Sequence, residues 1–385
     1  MGGAYLPFFG AWLEWRGLGP EEIGALLAST AFLRVAVSPL AGLVADARND
    51  RRSVMLMLSL LAFLGILLLN GAEGAVLIAA CAVPALLAWS AIGPLLESAT
   101  VRLAERHGFD YGRVRLWGSV TFVLGNIVSG VAVSLFGLVV IAPWLASAVG
   151  LLVIAAYMLP PPRNPRALAG LGIRLRATLA EARELGRHRM FLLFLLAASL
   201  GQGSHAMYYA YGGLHWRALG LDGALIGILW PLGVIAEIAL FAFSTRMFKH
   251  VGAARLLALG GLGCVLRWTL MAFDPGLPVL VVAQFLHAIS FALSHLGAVY
   301  FVLRAVPARL SATGQSLYAV CAYGLAMGIG TFLSGPLYAV VGGRAYLLMA
   351  AFGAAGLGLS LLLGRLWNGD RLVADGERDE DADAI

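Results

Sequence analysis

Arg34, His205, Glu237, Arg267, His287 and His295 each lie well inside a long apolar run of this 385-residue sequence. These are the side chains whose chemistry most needs a reason. Arginine stays charged and grips a carboxylate through a fixed fork of N–H donors. A carboxylate in an apolar run can take a proton from one side and release it to the other, and imidazole can relay one. If such runs cross a bilayer, a charge at the centre costs about 2.5–3.5 kcal/mol even on lenient scales. The plain alternative for Arg34, Glu237 and Arg267 is an ion pair that only holds a helix bundle together. For each histidine the alternative is a satisfied core residue. His287 and His295 are eight apart, so one helix would carry both on one face about two turns apart. That spacing suits a cavity wall and is too wide for a shared metal. Glu97 and Arg115 sit at the edges of their runs, where an interfacial ion pair explains them as well as a ligand contact does.

The elements that must position these groups follow from composition. Hydrophobic residues make up 60% of the chain and charged ones 12%. A soluble domain carries roughly 25% charge, so most of this surface does not face water. Apolar runs fall at 1–13, 22–45, 53–72, 75–97, 115–136, 138–160, 190–213, 222–244, 253–273, 276–302, 313–335 and 344–364. A spanning helix needs about 20 residues, so the expectation is an all-α membrane protein of twelve transmembrane helices. The first run is too short to span, which predicts that the true start lies upstream or that the beginning of helix 1 is missing. Continuous runs of this kind exclude a β-barrel, whose strands alternate.

Arginine is distributed by loop parity. Loop 2–3 carries Arg48, Arg51 and Arg52; loop 4–5 carries Arg102, Arg106 and Arg113. Segment 6–7 carries Arg163, Arg166, Arg174, Arg176, Arg183, Arg187 and Arg189. Loop 8–9 has Arg246, Lys249 and Arg255, and loop 10–11 has Arg304 and Arg309. The alternate loops hold little more than Arg16, Arg217 and Arg344. By the positive-inside rule the basic loops are cytoplasmic, as are both termini of a multi-pass protein of the bacterial inner membrane. The net charge of +6 therefore records orientation and predicts no nucleic-acid partner. Cys81, Cys264 and Cys321 are scattered through apolar runs and offer neither disulfide framework nor metal spacing. No metal or cofactor is expected.

The polar 6–7 segment opens Pro160-Pro161-Pro162 and divides the chain into a six-helix half at 1–160, a cytoplasmic linker at 161–189 and a second half at 190–366. An acidic tail at 367–385 reads as a disordered end. The halves are related to each other. Trp15-Arg16, Leu18-Gly19 and Ile23-Gly24-Ala25-Leu26 reappear as Trp216-Arg217, Leu219-Gly220 and Ile226-Gly227-Ile228-Leu229. Two parallel six-helix repeats are the architecture of the major facilitator superfamily. The 2–3 loop, with Gly42, Asp46, Arg51 and Arg52, resembles that superfamily's cytoplasmic gate motif.

More narrowly, the chain resembles the lactose permease branch and its phenylpropionic acid permease relatives over nearly its whole length. The likeness is carried by GAYLPFFGAWL, DYGRVRLWGS, QGSHAMYYAYGGLHW, LWPLGVIAEIALFAFS, VLRWTLMAF and FLHAISFALSHLGAVYF. It implies two pseudo-symmetric bundles rocking about a midplane cavity, in a carrier that is a monomer by family default. It also implies that Glu97 and Arg115 contact substrate and that Glu237, Arg267 and His287 serve binding and proton coupling. One position departs: where lactose permease carries its helix 10 carboxylate, this chain has Ser290. Glu237 or Glu97 is then expected to take over the proton.

The arginines, with Tyr208, Tyr209, Phe122, Trp230 and Trp268 as aromatic walls, favour a small aromatic or aliphatic carboxylic acid as substrate. His205 and His295 complete the candidate lining. A sugar or nucleoside symporter, and a membrane sensor that has lost coupling, remain the alternatives. ATP-driven transport is excluded, since a P-loop needs Gly-Lys-Ser/Thr and Lys249 is the only lysine. No nucleophile–base spacing suggests an enzyme.

Overall fold

The computed structural model describes residues 1–160, 171–248 and 250–373, which form helices joined by short turns. In lipid every backbone N–H must find its partner within the segment, so a long apolar run has no alternative to a helix. The first half holds α1 (Gly2–Trp15), α2 (Pro20–Arg48), α3 (Arg51–Leu69), α4 (Gly74–His107), α5 (Tyr111–Phe136) and α6 (Ile141–Met158). A helix outside the apolar runs follows, α7 (Leu171–Gly186). The second half holds α8 (Arg189–Ala218), α9 (Gly223–Met247), α10 (Ala253–Met271), α11 (Leu277–Ala305), α12 (308–341) and α13 (Tyr346–Leu366).

Among the described residues ten stretches are long and apolar enough to cross a bilayer, and the last of them, Ala308–Leu366, is two helices joined by a turn at Gly342–Ala345. With α1 the helices of the two bundles number twelve. The 14 residues of α1 rise only about 21 Å, yet from Ala4 to Leu13 nearly every side chain is buried. Helix ends are set by local chemistry. Asp50 accepts from the Ser53 N–H at 2.9 Å to start α3, and Asp222 accepts from the Ala224 N–H at 3.0 Å to start α9. Pro20 opens α2, where its missing N–H costs nothing.

Within the first half α3 packs on α4 and α6, and α2 on α4; within the second α13 packs on α8 and α10. The halves meet along α1–α8, α2–α12 and α5–α9. These meetings are closest at the end remote from the basic loops, and they are made by residues without bulk. A Cβ on Gly213 would overlap the Pro7 carbonyl, and one on Gly10 would overlap the Ala210 carbonyl. Gly130 lies against Gly223 and Gly227 across α5 and α9. Small residues let helix backbones touch, which is how association is gained where lipid offers no hydrophobic drive. Polar bonds finish this seal. Tyr211 donates to the Pro20 carbonyl at 2.6 Å, and Ser134 donates to Asp222 Oδ1 at 2.7 Å. That hydroxyl holds the Asp222 carboxyl below the usual carboxylate range.

At the basic end the halves part, and cavities open between them. There α7 is latched to the start of α12. Arg309 donates to both carboxylate oxygens of Glu184, at 3.1 and 2.6 Å, and keeps that carboxyl below its ordinary range. Thr313 adds a hydrogen bond to Glu181. Of the segment read as a linker, 161–170 lies outside the described residues, while 171–186 is this helix. Of the acidic tail, 374–385 lies outside the described residues. Residues 367–373 fold back on α11: Trp367 meets the Phe301 ring at 4.7 Å, and the Leu372 N–H donates to the Ala305 carbonyl at 2.8 Å.

The glycine contacts make a prediction. Gly213→Val should prevent closure of the far end and shift the protein toward the opposite arrangement. Nitroxide labels at Glu73→Cys and Leu277→Cys, with the native cysteines replaced, should then report a longer far-end distance by pulsed electron resonance. An unchanged distance in a folded variant would show that the glycine contact does not hold the seal.

Candidate functional site

Arg267 of α10 is fully buried; its two Nη atoms have partners, while its Nε has none among the described residues. Its Nη1 donates to His287 Nδ1 at 2.8 Å, and its Nη2 donates to Gln284 Oε1 at 3.3 Å. Gln284 and His287 are three apart on α11, hence on one face. The Tyr208 hydroxyl donates to the same Gln284 oxygen at 2.8 Å. The guanidinium lies over the rings of Trp268 and Tyr208, at 4.4 and 4.7 Å. None of the described carboxylates lies within ion-pair distance of it.

These bonds assign the histidine tautomer. Arginine can only donate, so His287 Nδ1 must be the acceptor and carry no proton. The ring's N–H is then on Nε2, which faces Glu237 Oε2 of α9 at 3.5 Å. Arg267, His287 and Glu237 thus form one chain running from the protein interior to the cavity wall.

Irregular backbone places the remaining groups. Helix α8 breaks at Ser204–His205 and turns His205 inward. Its Nδ1–H donates to the Gln202 carbonyl at 3.2 Å, so Nε2 accepts from the Ser290 hydroxyl, also at 3.2 Å. Helix α11 is wound as a π-helix over Ala288–Leu293, a distortion common at functional sites. Side chains meet the carbonyls of this stretch: Gln202 donates to that of Phe291 at 3.3 Å and Ser294 to that of Ser290 at 2.8 Å. The His287, Phe291 and His295 rings then stack in sequence, at 5.0 and 6.3 Å, on one face as their spacing predicts.

This cluster forms one wall of a cavity of about 700 Å³ between α5 and α8, α9 and α11. Tyr208, Tyr209 and Trp230 line it with Glu237, Gln284 and His287, and Phe122 and Arg115 face them from α5. Tyr208 stacks on Trp230 at 4.3 Å. Arg267 stands one side chain behind the wall. Arg115 stands near the basic end, where it and Glu97 are about 60% exposed with 4.0 Å between them. Tyr111 donates to that Glu97 carboxylate at 2.6 Å.

Other predicted residues lie apart from this group. Arg34 faces a second cavity between α2, α4 and α12, lined also by Ser38, Ser316 and Tyr323. His295 meets the Tyr323 hydroxyl at 3.4 Å. In the gate motif Arg51 pairs with Asp46 and reaches Ser98, Arg52 donates to the Tyr157 carbonyl at 2.8 Å, and Gly42 borders the second cavity. Two amides escape the sequence reading, Gln202 and Gln284. The available signal is their position in otherwise apolar runs, Gln284 one turn before His287. No group of His, Cys, Asp and Glu able to hold a metal occurs among the described residues.

The arrangement can bind an anion-bearing molecule of modest size between aromatic faces and move a proton at Glu237. Relatives agree on the class of protein. The model of the MFS_1 like family matches residues 1–348. A probable 3-phenylpropionic acid transporter of Escherichia coli (strain K12) is 31% identical over 352 residues, covering 90% of each chain. A maltose permease of Geobacillus stearothermophilus is 28% identical over 87% of this chain and 84% of its own. Among solved structures, the nucleoside transporter NupG superposes with a TM-score of 0.80 at 16% identity, over 95% of this chain and 96% of that one. At that identity the likeness speaks for the fold alone.

The lack of a described counter-ion at Arg267 makes a prediction about stability. Lysine keeps the charge but cannot donate to His287 and Gln284 in one fixed fork, and lost bonds to a charged group cost about 1.5–3 kcal/mol. Methionine removes the buried charge together with its desolvation cost. Arg267→Met should therefore melt above Arg267→Lys in detergent. The reverse order would mean that the charge is compensated in the folded protein.

Proposed function

This chain belongs to the MFS_1 like family, secondary transporters of the major facilitator kind, and from that premise we propose that it carries a small organic acid together with a proton. The observation that carries this reading is the buried Arg267, with no counter-ion among the described residues, behind an aromatic-walled cavity whose described lining holds one carboxylate, Glu237. A substrate carboxylate supplies the charge that Arg267 lacks. It would also face Glu237, and two anions in one cavity repel. A proton arriving on Glu237 removes that conflict. The site's net charge is then the same empty or loaded with acid and proton, which suits an element that must cross the bilayer in both states.

Roles follow from position. Arg115, near the basic end, draws the anion in. Tyr208, Tyr209, Trp230 and Phe122 hold an aromatic or aliphatic body. His287, its tautomer fixed by Arg267, donates its Nε2–H toward Glu237, the proton carrier. His205 steadies Ser290 beside them. Arg34, Glu97 and His295 lie off this cavity and are proposed for the path to it. Read with the positive-inside rule, the basic end and both termini are cytoplasmic, so this is an inward-facing arrangement of an inner-membrane carrier acting as a monomer. The Asp46–Arg51 motif then lies on the side that closes when the halves rock to the alternate state. The Escherichia coli relative's name points to 3-phenylpropionate as the first acid to try.

A neutral sugar is the second reading, favoured by the maltose permease relative. Against it stands the charge of Arg267, which a sugar leaves unmatched.

The test is uptake of labelled 3-phenylpropionate by proteoliposomes. A proton gradient, acid outside, should drive accumulation, while an imposed membrane potential alone should not, because anion and proton cross together without net charge. Glu237→Gln, which stays neutral, should abolish gradient-driven accumulation yet retain exchange of labelled for unlabelled acid. Gradient-driven uptake of a galactoside with none of the acid would overturn the substrate class. No gradient-driven transport of either in folded protein would overturn the coupled-carrier reading in favour of a sensor.

A further inference from the structure

Gln284 holds its amide in one orientation. Its Oε1 accepts from Arg267 Nη2 at 3.3 Å and from the Tyr208 hydroxyl at 2.8 Å. Arginine has no acceptor to offer, so the amide cannot turn over and present nitrogen there. The Nε2 end is consequently committed to the other direction, and it has no hydrogen-bond partner among the described residues. Gln284 is fully buried, and it lines the cavity between Tyr208 and His287 with its Nε2 covered, so a bound molecule reaches that nitrogen once the wall side chains shift. A buried donor left unmade costs about 1–3 kcal/mol, so a folded protein that keeps one at a cavity wall has a reason to keep it.

We propose that Gln284 reads the head group of the substrate: its Nε2–H donates to an acceptor oxygen of the bound molecule, in the proposed case one carboxylate oxygen. The assignment rests on the organic-acid reading above and deepens it. Arg267, locked behind the same amide, gives the head group's negative charge a counter-charge one side chain away. The nearest neighbour on this wall, His287, also presents an N–H through Nε2, toward Glu237. With Glu237 carrying its proton, as the proposed cycle requires, this corner offers donors, so a carboxylate is taken, while a head group that can only donate, such as an ammonium, finds only the Glu237 carboxyl to accept from it. A site whose buried polar groups are left unpaired by the wrong ligand discriminates far more strongly than an apolar pocket does.

Two substitutions separate this role from a structural one. Gln284→Glu keeps an oxygen for Arg267 and Tyr208, removes the donor and sets a negative charge beside Arg267. Gln284→Met removes both oxygen and donor. Binding of 3-phenylpropionate and of 3-phenylpropylamine to the purified full chain is followed by calorimetry, with size-exclusion profiles confirming fold. The wild type should prefer the acid. Gln284→Met should weaken the acid about tenfold, the worth of one hydrogen bond of this kind, without gain for the amine. Gln284→Glu should weaken the acid by at least as much and turn the preference toward the amine.

Acid affinity within about twofold of wild type in both variants overturns the proposal, twofold being less than one such bond. So does loss in the Met variant that the Glu variant restores, which would make Gln284 a bracket for Arg267 and Tyr208 only. If the wild type ignores the acid and binds a galactoside, the substrate reading fails separately. The same two variants are then measured on the galactoside, whose hydroxyls also accept: weakening in both supports the donor role, and unchanged affinity overturns it.

Discussion

A guanidinium sealed inside a membrane protein, with no carboxylate of the described residues beside it, is the constraint from which the rest of this structure is best understood. Arg267 is held by one imidazole, one amide and two aromatic faces. Each supplies part of what water would have given, and none supplies opposite charge. The consequences spread outward. His287 is confined to one tautomer and Gln284 to one amide orientation, and Tyr208 donates to Gln284. The His287 Nε2 faces Glu237 at the cavity wall. A charge so placed is expensive unless it is used, and in membrane helices such residues line functional paths far more often than they hold folds together.

The same economy governs how the halves touch. At the end away from the basic loops the contact surfaces are glycine against carbonyl, finished by two hydroxyl-to-oxygen bonds. Such a seam is close, and among the described residues it carries no buried ion pair that must be broken when it parts. At the basic end the coupling between elements is ionic and exposed, through Arg309 with Glu184 and Arg51 with Asp46. Exposed pairs are worth little individually, so they can exchange as the halves move.

Much of this is legible from the chain. Hydropathy gives the helices, because long apolar runs have only one way to satisfy their backbone, though α4 runs on to His107 and α12 covers 308–341, both past the apolar runs. The out-of-place charges lead directly to Arg267, His287 and Glu237, which the fold brings together. Arg34 and His295 look equally suspicious but face other spaces, and nothing in a one-dimensional pattern tells two helix faces apart when both are buried. Gln284 escapes because an uncharged amide barely disturbs an apolar run, while its importance lies in which donor meets which acceptor. The π-helical stretch of α11 and the break in α8 have no signature of their own either. A tertiary contact meets the π-helical stretch, the Gln202 bond to the Phe291 carbonyl, and a local one, Ser294 to the Ser290 carbonyl, lies at its end. The latch of α7 depends likewise on where Arg309 stands in space.

The most direct test of the charge account is proton linkage to binding. Calorimetric titration of 3-phenylpropionate into the purified protein, repeated in buffers of different ionisation enthalpy, counts the protons that accompany each acid. At pH values where Glu237 is ionised in the empty protein, the account predicts one proton taken up per acid bound, and none in Glu237→Gln. Tight acid binding with no proton uptake at any pH would contradict it, since the anion would then be held by Arg267 without the neutralisation of Glu237 on which the coupling is built.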